Sequence, residues 1–293
     1  MNKKLIAMTT SLVIGGSLLF GTAYANASQL SGYEAFKASI KDTKSLKNET
    51  ADLKVSINDN GSDLVYMTSN FKINSSANTR SEVTTVKTSS GSQTFSTYRQ
   101  DGKNISKDSS SDVYTVMENN KNFNKKDKAE NPELQKSIEV VIDTLVGNMK
   151  DKVTVTDNGD GTKKSSISLN ENEVTPLANA LTSMALVRSS DKQMHNDKKA
   201  ELANLKNVIP QLQSDIKVKS VDVTGDINKD NTIKDEVAKI VITGTDAQGK
   251  AHEITVNVNL DLSNINSTTP DTVDLTGKQV KTITPQSRGA HND

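Results

Sequence analysis

The chain has 293 residues, of which 33% are hydrophobic and 3% aromatic, and it contains neither cysteine nor tryptophan. Its basic and acidic residues balance to a formal net charge of +0, so long-range attraction to nucleic acid or to anionic lipid surfaces is not expected. The lack of cysteine excludes disulfides, thiol catalysis, thiolate metal sites and an acylated cysteine anchor.

The N-terminal segment follows the order of a secretory signal peptide. A basic pair begins at Lys3, an apolar stretch covers residues 5–20, and Ala-x-Ala patterns at 23–25 and 25–27 offer alternative cleavage sites. A transmembrane anchor needs about 20 apolar residues, whereas glycines and threonines interrupt this stretch. We therefore predict that residues 1–27 are cleaved, that no integral membrane segment remains, and that the mature chain is secreted, extracellular or associated with the cell wall.

Hydrophobic spacing then predicts one helix followed by an antiparallel meander. Residues 31–44 follow the helical period behind Ser31, a suitable N-cap, whereas the period between residues 49 and 117 is two. Pairs of turn residues separate the strand-like runs at regular intervals. The apolar helix residues are Tyr33, Phe36 and Ile40, and the turn pairs are Asn60-Gly61, Ser90-Gly91 and Asp101-Gly102.

The middle of the chain alternates between helix and hairpin patterns. Helix-start signals, a capping residue followed by proline, occur at 131–132 and 175–176, and each precedes an apolar stripe of helical spacing. Between them, residues 153–169 predict a hairpin, and a shorter helix is predicted for 198–207. The two stripes consist of Leu134, Ile138, Val141, Leu145 and Met149, and of Leu177, Leu181, Met184 and Val187.

The C-terminal part returns to the period of two. Residues 218–223 and 237–242 predict two strands, and a third run alternates strictly between apolar and polar residues, as in a strand with one face in the core and one in water. This run carries Ile254, Val256, Val258, Leu260 and Leu262.

Neighbouring antiparallel strands with helices inserted between them predict an α+β fold. We expect a curved antiparallel sheet (half-barrel) with helices packed on its concave apolar face. Residues 28–265 would form this single domain, because no stretch has the composition of a flexible interdomain linker. Residues 266–293 would form an extended or disordered C-terminal tail.

The order of elements over about residues 30–264 resembles the LolA/LppX-like half-barrel envelope proteins. Members of that family carry lipoproteins and lipids, so the resemblance implies an incomplete β-barrel wrapped around helices. The stretches GTDAQGKAHE at 244–253 and TPDTVDL at 269–275 also look like uncharacterised secreted proteins of Gram-positive bacteria. Neither resemblance supplies a functional residue that can be transferred to this chain.

Motifs for catalysis are absent from the sequence. His195, His252 and His291 have no zinc-ligand spacing, and there is no GxSxG elbow, P-loop or locally paired carboxylate. We therefore predict a non-enzymatic protein and assign no catalytic, cofactor-binding or metal residue.

One loop has partial calcium-binding character. Asp226, Asn228 and Asp230 alternate like the first ligands of an EF-type loop, but Asn231 replaces its glycine and Val237 replaces its bidentate acid. Asp and Asn also favour ordinary turns. A polar hairpin loop is the favoured interpretation, and calcium binding stays open.

Two functions fit these patterns best. The helical stripes can pack fully against the sheet, or Leu134, Ile138, Leu145, Leu181 and Met184 can leave a groove for an acyl chain or an apolar peptide. We expect an envelope protein that binds a lipid or other apolar ligand between sheet and helices. The alternative is a structural or interaction module of the cell wall or extracellular matrix, with a filled core and a cell-wall or protein partner. A hydrolase with carboxylates assembled by the fold ranks third.

Overall fold

The computed structural model describes residues 32–118, 150–174 and 208–283, and β-strands dominate it. Strands account for 61% of the described residues and helices for 10%. Helix α1 covers Gly32–Lys44, and a 3₁₀ turn covers Lys150–Lys152. The strands are β1 (Asn48–Asp59), β2 (Ser62–Asn74), β3 (Thr79–Thr88), β4 (Gly91–Gln100), β5 (Lys103–Asp108), β6 (Val113–Glu118), β7 (Val153–Asp157), β8 (Lys163–Asn170), β9 (Ser214–Ile227), β10 (Ile233–Thr245), β11 (Ala251–Ser263) and β12 (Gln279–Ile283).

The predicted α+β fold, a half-barrel with helices packed on its concave face, is wrong for the described residues, which form a mainly β structure. Strand length is one physical reason: β9 reaches 14 residues, and polar stretches rich in Ser, Thr and Asn extend the sheet beyond the apolar pattern. The helix predicted at 31–44 is confirmed as α1. The segments 1–27, 131–149, 175–187 and 198–207, with their predicted signal peptide and helices, lie outside the described residues.

All strands of the described residues join one sheet. Their order is β12-β6-β5-β4-β3-β2-β1-β11-β10-β9-β8-β7. Neighbours run antiparallel, with the exception that β12 lies parallel to β6. Because β1 pairs with β11, strands from before and after the central segment share a continuous layer.

Two clusters of buried apolar residues lie on one face of this sheet, which we call the inner face. Helix α1 packs over β7 and its neighbours in the first cluster, whereas the irregular segment 208–213 contributes to the second. At the start of α1 an added Cβ on Gly32 would lie 2.5 Å from the carbonyl oxygen of Val153, so only glycine fits this close approach. The first cluster contains Tyr33, Phe36, Ile40, Val153, Ile167, Leu169, Val174, Ile233 and Leu262; the second contains Val55, Ile57, Val65, Ile209, Leu212, Ile254, Val256 and Val258.

The opposite, outer face of β1–β4 is crossed by residues 264–278, which we call the strap. The strap leads from the end of β11 to β12 at the sheet edge, so the chain predicted as a tail at 266–293 is extended and hydrogen-bonded as far as residue 283. Its contacts are Thr268 Oγ1 with Thr50 Oγ1 (2.8 Å), Asp271 N donating to Ser81 Oγ (2.9 Å), Lys72 Nζ with Asp271 Oδ1 (2.8 Å), and Val273 N donating to Gln100 Oε1 (2.8 Å).

Candidate binding surface on the inner face

The inner face divides into two halves that differ in how they are covered. We call the inner face of β7–β11 the closed half, because α1 and residues 208–213 pack over it. On β2 and β3, Val65, Met67 and Val86 still pack with the second cluster. The rest of the inner face of β2–β6 is the open half, and β1 runs between the two halves. Residues directly opposite each other in a sheet point to the same face, so the register assigns each side chain to a half and a face.

The open half carries large apolar side chains that belong to neither cluster. Phe71, Ile73 and Phe95 are half-buried, and Met117 is 39% exposed. The register places all four on the same face as Val55 and the rest of the second cluster. Apolar side chains that share a face without joining a core mark a candidate surface for an apolar ligand.

Charged residues gather at one end of the open half. Arg80 on β3 lies directly opposite Arg99 on β4. On the β2 side, Arg80 lies opposite Ile73, and Ile73 in turn lies opposite Glu49 on β1. Arg99 Nε donates to Asn104 Oδ1 at 3.1 Å. Across the described ranges, neither arginine forms an ion pair. The two guanidinium groups therefore share one face, together with Glu49 and Glu82, without forming an ion pair to a described residue.

Three polar atoms at this end are buried and have no hydrogen-bond partner among the described residues: Glu49 Oε2, Arg80 Nε and Thr97 Oγ1. Burial raises the pKa of Glu49. A guanidinium in contact with this carboxylate would lower its pKa instead, so Arg80 does not neutralise Glu49. Because buried polar groups are nearly always hydrogen-bonded in native proteins, this end offers donors and an acceptor to a ligand.

The closed half contains one buried carboxyl group. Glu236 on β10 is 5% exposed, its Oε2 has no hydrogen-bond partner, and burial raises its pKa to about 7. It lies opposite Gly225 on one side and Leu260 on the other. The Ser165 hydroxyl on β8 donates to the Gly225 carbonyl at 3.1 Å rather than to the carboxyl group. Glu236 therefore carries a desolvation penalty that no neighbour in this row offsets.

A buried histidine joins the ends of two hairpins. His252 Nδ1 lies 2.8 Å from Asp59 Oδ2, and Nε2 lies 3.1 Å from Asp246 Oδ2. The hydrogen bond with Asp246 is the main cause that raises the pKa of His252, and the bond with Asp59 adds to it. Two carboxylates on the two ring nitrogens stabilise the imidazolium form. This arrangement ties the β10–β11 turn to β1 and leaves no ring nitrogen to activate a nucleophile.

Comparisons with known proteins do not assign the chain to a family. No protein-family model and no curated protein matches it. Among solved structures, the chain is similar to one described as "Crystal structure of ywiB protein from Bacillus subtilis", at 9% sequence identity over 73% of this chain and 91% of that chain, with a TM-score of 0.18. A TM-score this low carries no argument about fold or function. The resemblance to LolA/LppX-like proteins stays a prediction.

The loop considered for calcium is the turn between β9 and β10. Asp230 Oδ1 accepts a hydrogen bond from the Thr232 hydroxyl at 2.6 Å, and Asn228 Nδ2 donates to the same hydroxyl at 3.2 Å. Asn231 has a positive φ of 63° and donates from Nδ2 to Asp42 Oδ2 at 2.7 Å. These side chains are engaged in shaping the turn and attaching it to α1.

Metal-binding clusters and membrane-spanning helices are two further features to consider. Within the described ranges, no group of three or more His, Asp or Glu side chains is placed to hold a metal ion. None of the helices in the same ranges combines the length and apolar character that crossing a bilayer requires. His195 and His291, and the groove residues Leu134, Ile138, Leu145, Leu181 and Met184, lie outside the described residues.

Sequence reasoning missed the charged end of the open half and the histidine with its two carboxylates. A compositional signal existed for the first, because the chain has only four arginines and two of them are Arg80 and Arg99. Asp246 and His252 flank a predicted turn and could have been paired from the sequence. Asp59 could not, because 193 residues separate it from His252.

Proposed function

We propose that this chain is an exported, non-enzymatic binding protein that holds an apolar ligand against the open half of its inner face. The observation that carries the proposal is the shared placement of Phe71, Ile73 and Phe95, half-buried on one face and outside both core clusters. The order of a secretory signal in residues 1–27 supports export.

A binding role agrees better than catalysis with the titratable groups on the inner face. His252 has carboxylates on both ring nitrogens, and Glu236 lies in the covered half. Within the described part of the chain, neither is hydrogen-bonded to a hydroxyl that could serve as a nucleophile. Nucleophilic catalysis needs a base within hydrogen-bond reach of its nucleophile.

The proposal is tested by ligand extraction and by a neutral apolar probe. Protein purified from its native host would be extracted and analysed by lipid mass spectrometry, and recombinant protein would be titrated with Nile red and 1-decanol. We expect a co-purifying apolar compound and displacement of Nile red by decanol. Phe71→Ser and Phe95→Ser should weaken decanol binding about tenfold each, because each removes a large apolar contact.

Tyr66→Ser is the matched control for these variants. Tyr66 lies on β2 beside the same residues but on the outer face, where it is 43% exposed. Its loss should leave decanol binding unchanged. A protein that carries no extractable compound and does not bind decanol would contradict the proposal.

The free edge of the sheet favours a second candidate, an interaction module of the cell wall or extracellular matrix. All five residues of β12 are exposed, and among the described strands only β6 pairs with it, on one side. Such an edge can accept a strand from a partner protein. Val280→Pro removes one backbone donor there and should abolish retention on wall fractions if this candidate is correct; unchanged retention would contradict it.

A further inference from the structure

The paired arginines are unusual because like charges directly opposite in a sheet destabilise it. Residues in this position have Cβ atoms about 4.5–5.5 Å apart, and opposite-charge pairs are the favourable choice there. The chain nevertheless places Arg80 opposite Arg99 on the inner face. It does so while using lysine for nearly all its other basic positions.

Neither arginine forms an ion pair with a described residue. Glu82 follows Arg80 on the same strand and face, but its carboxylate is approached by the Thr84 hydroxyl at 3.5 Å and forms no ion pair with described residues. Glu49 lies beyond Ile73, and burial rather than a cation sets the direction of its pKa shift. The pair therefore lies on a partly buried surface without an ion-pair partner among the described residues, although Glu82, directly opposite Thr97, shares its face.

Two donors at the pair are buried and unused, the Nε–H of Arg80 and the hydroxyl of Thr97. A planar guanidinium matches carboxylate and phosphate oxygens with two parallel hydrogen bonds, and arginine is favoured over lysine where such geometry matters. An anion between Arg80 and Arg99 would accept from the unused donors and relieve the repulsion between the two guanidinium groups.

We propose that Arg80 and Arg99, with the Thr97 hydroxyl, bind a phosphate or carboxylate group. This inference rests on the proposed function, because it adds an anionic head to the apolar ligand of the same surface. The chain of such an amphiphile would run from the arginines over Ile73, which lies directly opposite Arg80, towards Phe71 and Phe95. Phe71 is the next inner-face residue of β2, and Phe95 follows Thr97 on the inner face of β4, with Glu82 between Phe71 and Thr97.

Three probes distinguish a lipid-like head from a free anion. Decyl phosphate carries both parts, 1-decanol carries the chain without the charge, and inorganic phosphate carries the charge without the chain. Each is titrated calorimetrically into the wild type, the double variant Arg80→Gln/Arg99→Gln, and Lys87→Gln. Lys87 lies on β3 like Arg80 but is exposed on the outer face, so its variant controls for loss of positive charge.

The wild type should bind decyl phosphate at least about tenfold more tightly than decanol, since hydrogen bonds to charged groups each contribute about one power of ten or more. The double variant should lose this difference and retain decanol binding, whereas Lys87→Gln should match the wild type. Thermal unfolding of the ligand-free variants establishes that they are folded.

Each contrary result has a distinct meaning. Equal binding of decyl phosphate and decanol by the wild type would overturn the anion site and leave the proposed function standing. Arginine-dependent binding of inorganic phosphate without decanol binding would overturn the proposed function and support a site for a free anion. If Lys87→Gln and the double variant lost the same amount of decyl phosphate affinity, the binding would depend on overall positive charge, and the anion site would be overturned. If the wild type bound none of the three probes, both proposals would be overturned.

Discussion

The closed and open halves of the inner face use the same sheet for different purposes. In the closed half, aliphatic residues such as Ile167, Leu169 and Ile254 are almost fully buried beneath or beside covering elements. In the open half, Phe71 and Phe95 are half-buried among threonines, serines and charged side chains. The difference indicates that stability is concentrated in the closed half, whereas the open half retains groups that stability alone does not require.

Unpartnered polar atoms occur in both halves, with different consequences. Glu236 is enclosed by the core and can lower its energy by taking up a proton. A guanidinium has no such route, because arginine side chains stay charged in proteins. The closed half thus holds a buried group that can be neutralised by a proton, whereas the open half holds a guanidinium whose buried Nε has no hydrogen-bond partner among the described residues.

The largest expected effect is a difference in stability between the halves when isoleucine is replaced by alanine in each of them. Ile254→Ala in the closed half should lower the free energy of unfolding by about 3 kcal/mol, because it removes a side chain that is 2% exposed. Ile73→Ala in the open half should lower it by about 1 kcal/mol or less, since this side chain is only half-buried. Urea unfolding measures both, and equal losses would remove the distinction between the halves.

Glu236 should make the closed half sensitive to pH. Its folded pKa of about 7 exceeds the ordinary value of 4.5, so the folded state binds more protons between these values. Stability should be highest below about pH 4.5 with respect to this group and should fall as pH rises through about 7.

The matched variant is Glu236→Gln, which cannot ionise. At pH 8 we expect it to be more stable than the wild type by about 2 kcal/mol, and at pH 5 the difference should nearly vanish. Urea titrations at both pH values make the comparison. A variant that is less stable at pH 8 would mean that the carboxylate has a favourable role.

His252 should respond to pH through its two carboxylates. Its pKa is raised in the folded state, chiefly by the hydrogen bond with Asp246, so its contribution is complete below the unfolded value of 6.5 and is lost as pH rises through the folded pKa. His252→Asn should lower the free energy of unfolding by about 1–2 kcal/mol at pH 6 and by less at higher pH. Chemical-shift titration of the imidazole provides the direct test, and an unshifted titration would contradict the pairing.

The smallest expected effect separates a binding residue from a structural one. Arg80→Gln should raise the free energy of unfolding of the ligand-free protein by about 0.2–1 kcal/mol, because it removes a like-charge pair. Loss of stability would instead show that the guanidinium supports the open half. Lys87→Gln, which has no arginine opposite it, should change stability by less.

Local patterns in the sequence predicted much of the chain's path. Strict alternation of apolar and polar residues predicted the strand at 254–262 and its buried face. The helical spacing of apolar residues behind the N-cap Ser31 predicted α1. The pairs Asn60-Gly61 and Asp101-Gly102 have the positive φ values that tight hairpin turns require. In each case the deciding interactions lie within a few residues of each other along the chain.

Register and long-range pairing could not be predicted in this way. Arg80 faces Arg99 because of where β3 and β4 begin to pair, and a slip of one residue would place them on opposite faces. β12 has only five residues, all exposed, and no apolar run marks it as a strand. The balance of strand and helix was misjudged partly because strands extend beyond their apolar runs: β9 covers Ser214–Ile227, whereas its apolar pattern predicted 218–223.

The pairing of β1 with β11 has a consequence for the order of assembly. Leu53 and Leu260 are about 200 residues apart along the chain, yet they lie opposite each other. The meander β1–β6 can form from local contacts, but the second cluster needs residues of β1 and of β11 together. Loops of this length close slowly, so consolidation must wait for the last quarter of the polypeptide. The first strands therefore lack their final partner until translation has passed β11.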